Sequence, residues 1–172
     1  TSDQIAALTT GQLQSLSTSQ VQAIDTTDVA AMTTSQVRAL STSELSGMTT
    51  TQVQALTANQ VKAVSDTALA GMSTAQVASL TSAQVQALTS TQVAALGTDQ
   101  IAAFSANQLA GLESADIAMW SSQQINAMDD ITALSSMQIA SLATDALRGL
   151  SNAHIEAFNA DTARALTSAQ MQ

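Results

Sequence analysis

The chain of 172 residues has no cysteine, no proline and no tyrosine, and only six glycines. Without cysteine it has no disulfide scaffold and no thiolate ligand for a metal, a composition that is compatible with secretion. Aromatic residues make up 2% of the chain and charged residues 10%. No apolar run approaches the roughly 18 residues of a membrane span, so we expect no membrane insertion.

Positive charge is also scarce. Only Arg38, Lys62, Arg148 and Arg164 oppose 13 acidic residues, and the formal net charge is −9. Nucleic acid and anionic membranes bind clustered cations, so we expect neither as a partner. The hydrophobic content of 45% is sufficient for a core, and the low charge argues against disorder through self-repulsion. The composition therefore predicts a folded protein.

What is abundant is an eight-residue phrase, which we call the octad. The segment LTSAQVQALTSTQVAAL, from Leu80 to Leu96, contains it twice. From Leu8 onward every eighth residue is apolar through Met128, and five residues later comes a second apolar column. A third column, directly before the first, is small. The first column contains Leu40, Met48, Leu56, Val64, Met72, Leu80, Leu88, Leu96, Phe104, Leu112 and Trp120; the second contains Val37, Leu45, Val53, Val61, Leu69, Val77, Val85, Val93, Ile101, Leu109 and Ile117.

An eight-residue period belongs neither to a continuous helix nor to a coiled coil. Eight residues turn a helix by about 800°, so successive leucines do not share a face. A β-solenoid is the alternative, since threonine and valine favour strands. Alanine and glutamine do not, however, and the glycines expected at tight corners are few.

The capping box accounts for every column of the octad. Ser or Thr follows the leucine, and Gln or an acid comes three residues later, as in Thr81 with Gln84 and Ser41 with Glu44. This pattern predicts a helix start in which the hydroxyl accepts from the third helical N–H (position N3) and the N3 side chain accepts from the N-cap N–H. The valine falls at N4 and the leucine at N′, the two positions of the hydrophobic staple. Unusual caps are expected at Asp25, Gly97, Glu113, Asp129, Ala143 and Asn159.

We therefore predict an all-α fold, a superhelical α-solenoid of very short capped helices with one helix per octad. The chain bends at each Leu-Ser/Thr step because a cap residue has extended dihedral angles. The two apolar columns would line the axis, and the small column would let successive helices approach closely. Gln, Ser and Thr would form an uncharged outer sheath.

The array has one irregularity. After Met128 the sequence MDDITAL is two residues short of an octad, and the repeat then resumes in weaker form at Leu134. We divide the chain into a regular array at residues 1–128 and a more degenerate continuation at residues 129–172. Both ends fall within an octad, so we expect an excerpt of a longer repeat region.

Few residues are candidates for chemistry. His154 occupies an N3 position and is expected to substitute for glutamine in the cap, because Glu156 lies on another side of the helix. The acidic pairs Asp25 with Asp28 and Asp129 with Asp130 lack the glycine turn and the ligand spacing of a calcium loop. We interpret Asp25 as an N-cap, Asp28 as its N3 residue, and Asp129 as the N-cap at the deletion. We predict no catalytic residue, no metal site and no cofactor, and hence no enzyme.

The segment ALTSTQVAALGTDQIAAFS resembles the L-[ST]-x-x-Q-[VI]-x-A-L octads of very large bacterial secreted or surface proteins described as adhesin-like or as haem utilisation/adhesion proteins. The resemblance implies a spacer, stalk or fibre-forming segment of an extracellular or cell-surface protein. Its partners would be flanking repeats of the same polypeptide, with self-association into fibres as a variant. Alternatives are a solenoid that binds a peptide, a glycan or haem, and an ice-binding surface suggested by MTTTQV and LTSTQV.

Overall fold

The computed structural model describes residues 1–171. Over that range the chain forms twenty α-helices of four to six residues and one 3₁₀ helix, without any strand. The predicted α-solenoid is therefore confirmed, and the β-solenoid alternative is wrong.

The chain divides into two compact units, Thr1–Leu88 and Thr89–Gln172. The first unit contains α1 (Ser2–Ala7), α2 (Thr10–Gln14), α3 (Thr18–Gln22), α4 (Thr26–Ala31), α5 (Thr34–Ala39), α6 (Thr42–Gly47), α7 (Thr50–Ala55), α8 (Ala58–Ala63), α9 (Asp66–Ala70), α10 (Thr74–Ala78) and α11 (Ser82–Gln86). The second unit contains α12 (Ser90–Ala94), α13 (Thr98–Ala102), α14 (Ala106–Gly111), α15 (Ser114–Ile117), α16 (Ser122–Asn126), the 3₁₀ helix (Ile131–Ala133), α17 (Ser136–Ser141), α18 (Thr144–Arg148), α19 (Asn152–Glu156) and α20 (Ala160–Ala165).

Helix α11 shows why each helix begins and ends where it does. Its N-cap Thr81 is extended, with φ −72° and ψ 159°, so the chain changes direction there. The Val85 N–H donates to the Thr81 carbonyl at 2.9 Å, which is the first helical bond. One turn later the Leu88 N–H donates to the Val85 carbonyl at 3.1 Å, and Thr89 is again an extended N-cap. Each octad therefore contains a single helix of about one and a half turns.

Helices that are three octads apart pack against each other. In the first unit α1 contacts α4 and α5 contacts α8; in the second unit α12 contacts α15 and α17 contacts α20. Helices this short are unstable alone because nucleation is costly, so these lateral contacts supply their stability.

The two apolar columns form the core, as predicted. From Leu13 to Leu147 the N4 column is almost completely inaccessible to solvent, with Val37, Val53 and Ile101 at 0% exposure. Ile155 of α19 lies beyond that range, at 52% exposure. The leucine column is buried from Met32 to Leu150, where Trp120 and Phe104 replace leucine without becoming exposed. Its members nearer the two ends are half-buried: Leu8, Leu16, Ile24, Phe158 and Leu166. Met119, which interrupts the small column, points to solvent instead. Each octad buries one or two aliphatic side chains in this core, and each Å² of apolar surface removed from water contributes roughly 25 cal/mol to stability.

The small column has a different role from the predicted one. Gly47 of α6 faces Thr18 of α3, and Gly71 after α9 faces Thr42 of α6, so the close approach is between helices three octads apart and not between successive helices. A Cβ atom at Gly47 would lie 2.7 Å from the Thr18 Cγ2 atom. These glycines are required because a facing threonine occupies the space that a side chain would need.

The short octad after Met128 forms the 3₁₀ helix Ile131–Ala133 in place of an α-helix. The register of the array survives this deletion. Gly149 faces Ser122, 27 residues earlier, whereas Gly47 and Thr18 are separated by 29 residues, which is the difference that two missing residues require. Ile131 and Leu134 keep their places in the core.

We predict that Gly71→Ala destabilises the first unit by about 1–3 kcal/mol, because the new methyl group overlaps the Thr42 methyl group. Chemical denaturation followed by circular dichroism measures the change. Gly11→Ala is the matched control, since no atom lies within 4 Å of its added Cβ, and there we expect a gain of up to about 1 kcal/mol. The double variant Gly71→Ala/Thr42→Ser should recover most of the loss. Equal effects at Gly71 and Gly11 would contradict the packing.

Candidate functional site

The most elaborate polar arrangement over residues 1–171 surrounds the N3 glutamine, which is present in most octads. In α11 the Gln84 Oε1 atom accepts from the Thr81 N–H at 2.7 Å, and the Gln84 N–H donates to Thr81 Oγ1 at 3.3 Å. These two bonds are the predicted capping box. Both satisfy N–H groups that a helix leaves without an intrahelical partner.

The other end of the same side chain reaches a different helix. Gln84 Nε2 donates to the Val53 carbonyl at 2.8 Å and to the Leu56 carbonyl at 2.7 Å, at the C-terminal end of α7, four octads earlier. A helix also leaves its last carbonyls without an intrahelical N–H donor. One glutamine therefore satisfies the start of its own helix and the end of another.

This contact repeats along the chain, and we call it the glutamine ladder. In regular octads the amide group reaches residues 28 and 31 positions earlier. Across the two-residue deletion the corresponding separations are 26 and 29, at Gln138. Both the cap bond and the cross-helix bond are present at Gln36, Gln52, Gln60, Gln76, Gln84, Gln124, Gln138 and Gln170.

Most glutamines of the ladder are buried, which corrects the predicted outer sheath. Gln84 is 2% exposed and Gln60 is 2% exposed, like core residues. Over residues 1–171 no buried side-chain nitrogen or oxygen lacks a hydrogen-bond partner. The sheath prediction for glutamine is wrong because the capping box accounts for Oε1 alone and leaves the two N–H groups of the amide without a role. Those two donors require acceptors, and only another helix supplies them.

Where aspartate occupies N3, a different contact replaces the ladder. The Asp28 carboxylate accepts from the Ser2 hydroxyl at 2.8 Å, and the Asp116 carboxylate accepts from the Ser90 hydroxyl at 2.7 Å. In both cases the serine is the first residue of the helix three octads earlier, 26 residues away. A carboxylate has no N–H to donate, so it takes a hydroxyl donor instead of a carbonyl acceptor.

Glu44 has the cap bond without the cross-helix donor. Its Oε2 atom accepts from the Ser41 N–H at 2.7 Å, and the side chain is 5% exposed. A glutamine at this position would donate from its amide nitrogen to the carbonyls of Leu13 and Leu16, which lie 31 and 28 residues earlier as in the ladder. Glu44 has a second carboxylate oxygen in place of that nitrogen. Glu44 is therefore a buried acid at a position that suits an amide.

His154 substitutes for glutamine, as predicted. The His154 N–H donates to Ser151 Oγ at 3.3 Å, and the ring Nε2 atom lies 3.0 Å from the Met128 carbonyl, 26 residues earlier. That is the separation found for Gln138 across the same deletion. Glu156 is exposed and is not among the partners of the imidazole.

Asn126 completes the His154 cap and was missed by sequence reasoning. Its Oδ1 atom accepts from the Ser151 N–H at 2.8 Å and lies 3.1 Å from His154 Nδ1, while its Nδ2 atom donates to the Gly149 carbonyl at 2.8 Å. Gln14 donates to the Ala39 carbonyl at 2.7 Å from the same octad position. A side-chain amide directly after the N4 residue is the sequence feature that could have predicted this contact between helices.

The unusual caps have mixed outcomes. Asn159 accepts from the Thr162 N–H at 2.9 Å, as expected of a cap. Asp25, Gly97, Glu113 and Ala143 occupy N-cap positions, but none of their side chains makes the cap bond.

At the deletion, the prediction of Asp129 as the cap is wrong by one residue. Asp130 caps the 3₁₀ helix instead, accepting from the Thr132 hydroxyl at 2.6 Å and from the Thr132 N–H at 2.8 Å. The Thr132 hydroxyl, then its N–H and the charge of His154, lower the pKa of Asp130. Removal of two residues moves the extended position along the chain, which the octad phase alone does not reveal.

Within residues 1–171, no three histidine, cysteine or acidic side chains come together as a metal site. None of the described helices is long and apolar enough to cross a bilayer. Arg148 and Arg164 pair with Asp145 and Asp161 on their own helices, and all four side chains are largely exposed, so these pairs contribute little to stability.

The fold and the ladder together define a class, an α-solenoid of capped eight-residue repeats. A family model described as the ALTTAQ repeat matches residues 1–34, 21–58, 29–66, 58–90, 66–98, 78–106, 84–114 and 93–130. The chain belongs to this repeat family. No curated protein and no solved structure matches the chain.

We predict that Gln84→Glu destabilises the first unit by about 2–3 kcal/mol, because the carboxylate keeps the cap bond but turns an oxygen toward the carbonyls of Val53 and Leu56. Glu44→Gln should have the opposite effect, about +1 kcal/mol, because it adds the missing donor. Denaturant midpoints measure both changes.

The control for this pair is Gln12→Glu. Gln12 is exposed, accepts the Thr9 N–H at 2.8 Å and has no cross-helix bond, so an acid there keeps the cap and interacts favourably with the helix start. We expect a change within about 0.5 kcal/mol. A loss at Gln12 as large as that at Gln84 would show that the cross-helix bonds contribute nothing.

For His154 we predict that glutamine is accepted and alanine is not. His154→Gln retains a donor for the Met128 carbonyl and should change the free energy of unfolding by less than about 1 kcal/mol, whereas His154→Ala should lose about 1–3 kcal/mol. Thermal denaturation of the two variants and the native chain checks this. If glutamine is as damaging as alanine, the imidazole has a role that the ladder does not explain.

Proposed function

We propose that this chain is a structural repeat module, a spacer, stalk or fibre-forming segment of an exported bacterial surface protein that acts in adhesion or cell-surface assembly. The observation that carries the proposal is the glutamine ladder. Each ladder glutamine binds the end of the helix four octads before its own, and this contact recurs at a constant spacing in the regular octads. An array of this kind can be lengthened without any new type of contact.

The first octads support flanking repeats as the partners. Gln4, Gln12 and Gln20 each accept from their own N-cap residue, but within the described residues none of them donates to a carbonyl of another helix. Octads placed four units upstream would supply those carbonyls. They would come from the same polypeptide or, in the fibre-forming variant, from a second copy.

The exported location is supported by composition and by the resemblance of the octads. The chain has no cysteine, and over residues 1–171 its buried side-chain nitrogen and oxygen atoms all have hydrogen-bond partners. Such a segment does not depend on the redox state of its surroundings. In this proposal the adhesive contact is made by another part of the protein, which the spacer holds away from the cell surface.

We predict that tandem copies form rods whose length grows in proportion to copy number. Copies joined through an inserted Ala-Leu keep the octad phase, and direct joining without it breaks the phase by two residues. Small-angle scattering and electron microscopy measure the maximum dimension. In-phase tandems should also unfold at higher denaturant concentration than out-of-phase ones, because only they continue the ladder across the junction.

Compact globules from in-phase tandems would argue against a spacer. The surface location needs a separate test, antibody labelling of intact cells of the source organism with permeabilised cells as the control. Labelling that requires permeabilisation would overturn the exported location and leave the architecture unaffected.

A further inference from the structure

The deletion leaves a cavity in the second unit. Its volume is about 190 Å³, and its floor consists of the buried apolar residues Ile101, Phe104, Leu109 and Met128. A gap around Leu13 and Val29 in the regular first unit has a volume of about 10 Å³. The larger opening coincides with the short octad after Met128.

The short octad forms the 3₁₀ helix Ile131–Ala133. It lies against α14 in the place where a full octad would present an α-helix of five or six residues. Its three residues cover less of α13 and α14, and small side chains at Ala102, Ala106 and Ala133 complete the rim without filling the space.

The polar side of the cavity is acidic. Asp129 and Asp130 are the only charged residues that line it. The Asp130 carboxylate is held in place by the Thr132 hydroxyl and N–H, and these hydrogen bonds lower its pKa. No lysine or arginine lines the cavity, and both arginines of this unit pair with aspartates on their own helices.

We propose that this cavity binds a primary alkylammonium group, with the alkyl chain against Phe104 and Leu109 and the ammonium between the carboxylates of Asp129 and Asp130. An apolar floor under a few polar groups at the mouth is the usual design of a small-ligand site. The volume limits the ligand, since a cavity of about 150 Å³ suffices for a benzene ring. A chain of about four to six carbons fits, which describes both a free amine and the side chain of a lysine.

The proposal is independent of the spacer function. It assigns a recognition role to the irregular octad, where the cavity lies beside the short 3₁₀ helix. The anionic mouth selects against fatty acids and phosphates, and the depth of the floor selects against ammonium itself.

The test is a titration of the whole chain with n-pentylammonium, followed by amide chemical shifts. We expect saturable shifts confined to residues 101–109 and 128–133. The isosteric alcohol n-pentanol should bind more weakly by about three- to tenfold, the range expected of partly solvated charge pairs.

Two variants separate the charge from the cavity. Asp130→Asn keeps the oxygen that caps the 3₁₀ helix but removes the charge, and should weaken pentylammonium binding about threefold or more while leaving pentanol unchanged. Asp99→Asn, at an exposed position on α13 that does not line the cavity, is the control of equal charge. Ala106→Leu fills the rim and should abolish binding of both molecules, with an unchanged helical spectrum showing that the fold persists.

A parallel titration distinguishes the two sources of the ligand. A blocked pentapeptide with a central lysine is compared with the same peptide carrying Nε-acetyl-lysine. If pentylammonium and the lysine peptide bind but the acetylated peptide does not, a protein lysine is supported as the ligand. If pentylammonium binds and neither peptide does, a free amine is supported. The proposal is overturned if neither ammonium binds at millimolar concentration, if pentanol binds equally well, or if Asp130→Asn behaves like Asp99→Asn.

Discussion

A helix of five residues leaves most of its backbone N–H and C=O groups without an intrahelical partner, and the fold is organised around supplying those partners. Its first N–H groups and last carbonyls lie too close to both ends for intrahelical bonds to satisfy them. In most folds these end groups form hydrogen bonds with water or with side chains that follow no regular pattern. Here the N3 glutamine does so, with its oxygen at the start of one helix and its nitrogen at the end of another. Removal of either half would leave buried polar groups without partners, at a cost of about 1–3 kcal/mol each.

The same requirement explains which irregularities the array tolerates. Aspartate at N3 is accepted at Asp28 and Asp116, where a serine three octads earlier supplies a hydroxyl. Histidine is accepted at His154 because its second ring nitrogen reaches the Met128 carbonyl and Asn126 takes over the cap N–H. The two-residue deletion is accepted because Ile131 and Leu134 still fill the two apolar columns. What changes at the deletion is the surface, where a cavity opens beside an acidic turn.

Local chemistry made much of this architecture predictable. A capping box depends on residues three apart, so the starts of helices such as α11 and the cap role of His154 follow from the sequence. The burial of valine and leucine follows too, because apolar side chains at fixed octad positions must share an interior. Three features were not accessible in this way: the destination of the Gln84 amide, the partner of Gly71, and the shift of the cap from Asp129 to Asp130. Each depends on which helix lies opposite. The octad pattern relates only residues within one or two repeats, so it does not specify contacts between residues that are 24 to 32 positions apart in the sequence.

The sequence by itself determined that the backbone spiral is interrupted once per octad, where the new helix starts, and which apolar side chains face inward. Both are properties of one octad and its immediate neighbours. Only the tertiary structure decided how many octads pass before the chain meets itself. Contacts between helices three octads apart and hydrogen bonds between octads four apart are set by the bend angle at each Leu-Ser/Thr step. Small changes in that angle accumulate over successive octads, so the pairing of Gln84 with Val53 and Leu56 is a result of the whole superhelix and not of the repeat that it serves.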